Sequence, residues 1–66
     1  MNMLKLKAKI VEKGINVETV ADRIGVDRSS LYRKLNNFEK ITIGEAGKLK
    51  EVLDMTNEEA SEIFLP

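Results

Sequence analysis

The sequence predicts an all-α domain of five short helices. Two observations carry that prediction. Helix-capping residues recur at intervals of one helix length, at Asn16, Asp27, Thr42 and Thr56. Between them the apolar residues recur three and four apart, and no run alternates apolar with polar except Lys40 to Ile43, which is too short for a strand.

The first helix is expected over Met3 to Lys13. Met3, Leu6 and Ile10 follow helical spacing, as do Leu4 and Val11, and Gly14 stands where a left-handed residue ends a helix. Ile15 then packs back on the core, and Lys5, Lys7 and Lys9 read as solvated lysines. Asn16 caps a second helix, Val17 to Ile24, whose apolar face is Val20, Ala21 and Ile24. Gly25 ends it, and Asp27 caps a third helix from Arg28 to about Asn37, with Leu31 and Leu35 pointing inward together. A polar loop carries one large apolar residue, Phe38. It either tucks against the fourth helix of its own chain or meets a second copy.

Thr42-Ile43-Gly44-Glu45 has the form of a capping box opening a fourth helix, with Ile41 and Ala46 at the hydrophobic staple positions. Ile43, Ala46, Leu49, Val52 and Leu53 are its expected buried stripe. Gly44 and Gly47 weaken this helix by about 1 kcal/mol each relative to alanine, which close approach of a neighbouring helix would explain. Thr56-Asn57-Glu58-Glu59 repeats the capping box and opens a fifth helix ending near Phe64, with Ile63-Phe64-Leu65 docking onto helix one. The expected core is Leu6, Ile10, Val20, Ala21, Ile24, Leu31, Leu35, Leu49, Val52, Leu53 and Phe64.

Composition narrows the function classes. The 66 residues make one domain, 1–66, small enough to need good packing or a partner chain. There is no Cys and no His, so disulfides and the usual zinc sites are excluded. Catalysis is not expected: the remaining candidates are scattered carboxylates and Ser29, Ser30 and Ser61, with no acid/base pair and no phosphate-binding glycine loop. No cofactor, metal or small-molecule ligand is implied. No apolar run approaches the length of a membrane span, and the chain reads as soluble and cytoplasmic. Net charge is zero but unevenly placed. Residues 1–40 hold nine Lys/Arg and five Asp/Glu, giving +4; residues 41–66 hold two and six, giving −4. Either the molecule has a basic front that orients it on a polyanion, or the charges are ordinary surface scatter.

The informative stretch is Val17 to Asn36. Two short helices joined by Gly25-Val26-Asp27 must cross steeply, so that one can lie in a DNA major groove while the other lies across it. At about 100° per residue, Leu31 and Leu35 set the inward direction of the third helix. Ser29 and Arg33 then point outward, Arg28 and Tyr32 lie on one flank, and Ser30 and Lys34 on the other. Arg28 and Arg33 have the donors for guanine O6 and N7, Ser29 can pair with several bases, and Tyr32 suits a thymine methyl or a phosphate. Asn16 and the backbone N–H of Val17, at a helix N-terminus, suit an anion, as do Asn36, Asn37 and Lys40 beyond the third helix. The competing reading of this face is a solvated helix surface.

Val20-Ala21, Ile24-Gly25-Val26 and Leu31 resemble the helix-turn-helix of the lambda-repressor-like (Cro and Xre) family. The lead-in Gly14-Ile15-Asn16 and the segments Phe38 to Ile43, Leu49 to Leu53 and Asn57 to Phe64 extend the resemblance to small prophage-type regulators over nearly the whole chain. It implies sequence-specific binding of double-stranded operator DNA as a transcription regulator, as a homodimer on DNA whose symmetric contact lies near Phe38 or Met55. Two positions depart from the family pattern: Val17 stands where a glutamine usually clamps a phosphate or supports a base contact, and Lys34 stands where an apolar residue is usual. The alternative function on the same scaffold is a protein-interaction adaptor of the antirepressor kind. An apolar outward face would favour it; Arg28, Ser29 and Arg33 favour DNA.

Overall fold

The computed structural model describes residues 1–37 and 41–65. Within them the chain forms five α-helices and no strand: α1 Met3–Glu12, α2 Val17–Ile24, α3 Arg28–Asn37, α4 Ile43–Val52 and α5 Asn57–Phe64. Each boundary has a local cause. Asn2 and Asn16 accept the N–H of Lys5 (3.1 Å) and Thr19 (2.8 Å), satisfying donors that the first turn leaves unpaired. Thr42 with Glu45, and Thr56 with Glu59, form complete capping boxes, each side chain bonded to the other residue's backbone N–H. Asp27 occupies the N-cap position of α3, and its carbonyl accepts from Leu31 N–H at 3.1 Å. Its carboxylate makes no hydrogen bond among the described residues, so the expected side-chain cap is absent there.

Three helix ends share one device. Gly14, Gly25 and Asp54 take left-handed backbone (φ 69°, 76° and 49°), and the apolar residue that follows each donates back into the helix. Ile15 N–H reaches Ile10 O, Val26 N–H reaches Ala21 O, and Met55 N–H reaches Lys50 O, at 3.4, 3.0 and 2.9 Å. The same residues turn their side chains toward the core: Met55 is buried, and Ile15 and Val26 pack against it half-buried.

The core is Met3, Leu6, Ile10, Val20, Ala21, Ile24, Leu31, Leu35, Ile41, Leu49, Leu53, Met55 and Ile63. α2 sits between α3 and α4, and α5 packs on α1. Asn2 N–H bonds Ile63 O at 2.6 Å, which ties the start of α1 to α5 as expected for the C-terminal segment. Lys48 Nζ reaches the carbonyl of Ile24 at 3.4 Å, a cation at the negative end of α2.

Several expectations are corrected. Ile43, read as buried, is 93% exposed. It lies about 120° around α4 from Leu49, and the residue that enters the core is Ile41, ahead of the cap. Val52 and Phe64 are only half-buried, because Leu53 and Ile63 take the central places. Leu4 and Val11 are 68% and 77% exposed, on the side of α1 opposite Leu6 and Ile10. Lys9 is not a solvated lysine: it is 8% exposed, with its ammonium paired to Glu59 and, at 3.3 Å, to Glu12. Gly44 and Gly47 admit no close neighbour, since a Cβ at either would meet nothing within 4 Å. Met55 is buried, which removes it as an intermolecular contact. Phe38 and Lys40 lie outside the described residues.

The charge asymmetry along the chain does not become two separate faces. Lys5 pairs with Glu62 at 3.2 Å, Lys34 with Glu45 at 2.8 Å, and Lys9 with Glu59, so three cations of the first forty residues meet carboxylates of the rest. Glu45 and Glu59 are correspondingly acidic. The Lys34 ammonium, with the N–H of Thr42, holds Glu45 below its ordinary value. Lys9, with the N–H of Thr56, holds Glu59 down at about 2.

Candidate nucleic-acid interface

The only buried residues of α3 are Leu31 and Leu35, four apart on one side. The helix therefore rests on the core by a narrow stripe, is half-buried on the flank of Ser30 and Lys34, and gives its remaining side to solvent. Arg28, Ser29, Tyr32, Arg33, Asn36 and Asn37 are all exposed, Tyr32 by 45%. Lys34 is half-buried against Glu45 and belongs to the α3–α4 packing rather than to the exposed surface. This accounts for a lysine at a position where an apolar residue would otherwise pack.

The turn Gly25-Val26-Asp27 places the first turns of α2 and α3 on either side of an open cleft of about 630 Å³. Asn16, Glu18, Thr19, Ala21, Asp22, Val26, Asp27 and Arg28 line it. On the α2 side, Asn16 Oδ1 is committed to Thr19 N–H, which leaves its amide N–H₂ for an outside acceptor. The N–H groups of Val17 and Glu18 precede the first helical bond, made by Val20 to Asn16 O at 3.1 Å, and point out of the helix end. The Val17 side chain packs half-buried against the core and takes no part in this polar rim.

On the α3 side, Arg28 is not an isolated cation. Its Nη1 lies 2.9 Å from Glu18 Oε1, both side chains remaining about 60% exposed at 60% and 63%. Sequence reasoning missed Glu18 because its pairing depends on how α2 and α3 cross. Its one visible sign was an acidic residue in the first turn of α2, which the helix dipole alone explains. Asp22 and Asp27 add two more carboxylates to the cleft, and among the described residues no acidic group is arranged to hold a metal ion.

Of the expected contact residues, the structure brings Asn16 and Arg28 to one cleft, leaves the Val17 side chain packed against the core, and continues along α3 through Ser29, Tyr32, Arg33, Asn36 and Asn37. The result is one exposed, donor-rich helix beside one helix N-terminus. No family model, curated protein or solved structure matches the chain.

Proposed function

We propose that the protein binds double-stranded DNA sequence-specifically as a lambda-repressor-like helix-turn-helix transcription regulator, with α3 in the major groove. The observation that supports this most is the surface of α3. Its buried stripe is two leucines wide, and every other side chain with base-reading chemistry lies in solvent: Arg28, Ser29, Tyr32 and Arg33. A helix presented this way, after a three-residue turn whose central Val26 packs beneath it, fits a groove about 12 Å wide. Arg28 and Arg33 serve as guanine readers, Ser29 and Tyr32 as adaptable contacts, and Asn16, the Val17 N–H, Asn36 and Asn37 as phosphate ligands.

The unfavourable feature is charge. Glu18, Asp22 and Asp27 oppose a polyanion, so affinity rests less on bulk attraction and more on placed contacts. A single domain reads too few base pairs for a unique address. The reading therefore includes a homodimer on half-sites about 34 Å apart.

A protein-binding role on this scaffold would use another surface. Between α4 and α5 runs a groove of about 430 Å³ lined by Ala46, Gly47, Ala60 and Phe64, with Ile43 and Leu65 exposed on its rim. Selection from random duplex oligonucleotides separates the two. Recovery of a defined, two-fold symmetric sequence at physiological salt is the expected result, and recovery of none removes the DNA reading.

A further inference from the structure

The cleft between α2 and α3 holds one guanidinium among three carboxylates, and only Glu18 touches it. Glu18 is the second residue of α2 and Arg28 the first of α3, so the pair closes across the two helix starts. We propose that Glu18 is a positioning residue for Arg28, holding its guanidinium for a base and away from the phosphates. The inference rests on the DNA-binding reading.

The geometry supports it in three ways. Arginine is long and rotamer-rich, and at an exposed helix start an unrestrained guanidinium pairs with whichever phosphate is nearest. Contact through Nη1 restrains it without occupying the Nε–Nη2 edge, which is one of the two forks able to bond guanine O6 and N7 together. Finally, the Glu18 carboxylate adds a negative charge to the cleft beside Arg28. A fixed negative charge there penalises every DNA register that does not compensate it by pairing Arg28 with a base. No other side chain substitutes for it: Val17 is apolar and half-buried, and Asp22 and Asp27 form no ion pair among the described residues.

The test is Glu18→Gln, which keeps size and removes charge. Its circular dichroism should match wild type, the side chain being 63% exposed. Binding is then measured to the selected duplex, to duplexes changed at each base pair, and to random duplex, over a range of salt. The variant should lose about tenfold of its discrimination at a single base pair, out of the roughly 5- to 150-fold that a bidentate pair supplies. It should bind random duplex more tightly, with a salt slope steeper by about 0.9 as Arg28 turns to a phosphate. In an Arg28→Ala background, Glu18→Gln should leave base discrimination unchanged. Retained discrimination in Glu18→Gln overturns the proposal, and so does an equal loss in the Arg28→Ala background, which would make Glu18 a base reader itself. If wild type selects no sequence, the DNA-binding reading falls and this assignment with it.

Discussion

Leu31→Ala tests the placement of α3, on which the exposed face depends. Leu31 is 2% exposed and shares with Leu35 the whole buried stripe of that helix. Truncation removes three carbon atoms' worth of buried apolar surface, about 2.4 kcal/mol at about 0.8 per methylene. The cavity left beneath a helix held by one remaining leucine adds to this, for a total of about 2–5 kcal/mol. A domain of 66 residues has only about 3–10 kcal/mol to lose, so the variant should be largely unfolded or close to it at 25 °C. Ile43→Ala is the control: at 93% exposure it should change stability by less than about 0.5 kcal/mol. Urea unfolding followed by far-ultraviolet circular dichroism measures both. A loss below about 1 kcal/mol for Leu31→Ala would show that α3 is not seated as described, and its outward face would then be wrongly assigned.

Three further expectations follow from the same structure. Gly47→Ala should raise stability by about 0.5–1 kcal/mol, because the added Cβ meets nothing within 4 Å and the helix gains propensity; Gly25→Ala should lower it by about 1 kcal/mol despite equally open space, because φ there is +76°. Thermal melts of the two variants should move in opposite directions. Acid should weaken the α1–α5 contact: Glu59 is held at about 2 against an ordinary 4.5, so its contribution is complete above pH 4.5 and fades as pH falls toward 2. Lys9, raised above its ordinary 10.5 by Glu59, contributes below that pH and loses its contribution only at higher pH. A Tm profile from pH 2 to 7 should drop over the acidic window, and less so in Glu59→Gln. Arg33→Ala should weaken binding to the selected duplex by about 1–3 kcal/mol and relax one base position; unchanged affinity in a direct titration would remove Arg33 from the reading set.

The helix starts were legible because caps are local. Asn16, Thr42 and Thr56 act through bonds that span three residues, and α2 begins and ends at the residues the sequence indicates. Gly14 and Gly25 were legible as helix ends for the same reason. Asp54 was not, since aspartate enters the left-handed region only when the chain around it requires that conformation. Periodicity also fails for residues outside helices. Ile41 and Met55 reach the core from positions before a cap, where no 3.6-residue pattern extends. Lys9 illustrates a third limit: its burial depends on Glu59, fifty positions away, and local spacing cannot show a partner brought by tertiary packing. The rotation of α3 was legible, because Leu31 and Leu35 fix it, whereas the half-burial of Lys34 against Glu45 was not. The Glu18–Arg28 pair across the cleft was not, because it exists only once two helices have crossed.

The central claim is that α3 meets DNA. Its most direct test is a titration of isotope-labelled protein with the selected duplex, following backbone amide shifts at physiological salt. The account predicts the largest changes at Asn16 to Glu18 and along Arg28 to Asn37, saturating at one protomer per half-site, with α5 little affected. Largest changes around Ile43, Ala60 and Leu65, or shifts that random duplex reproduces equally, would contradict it.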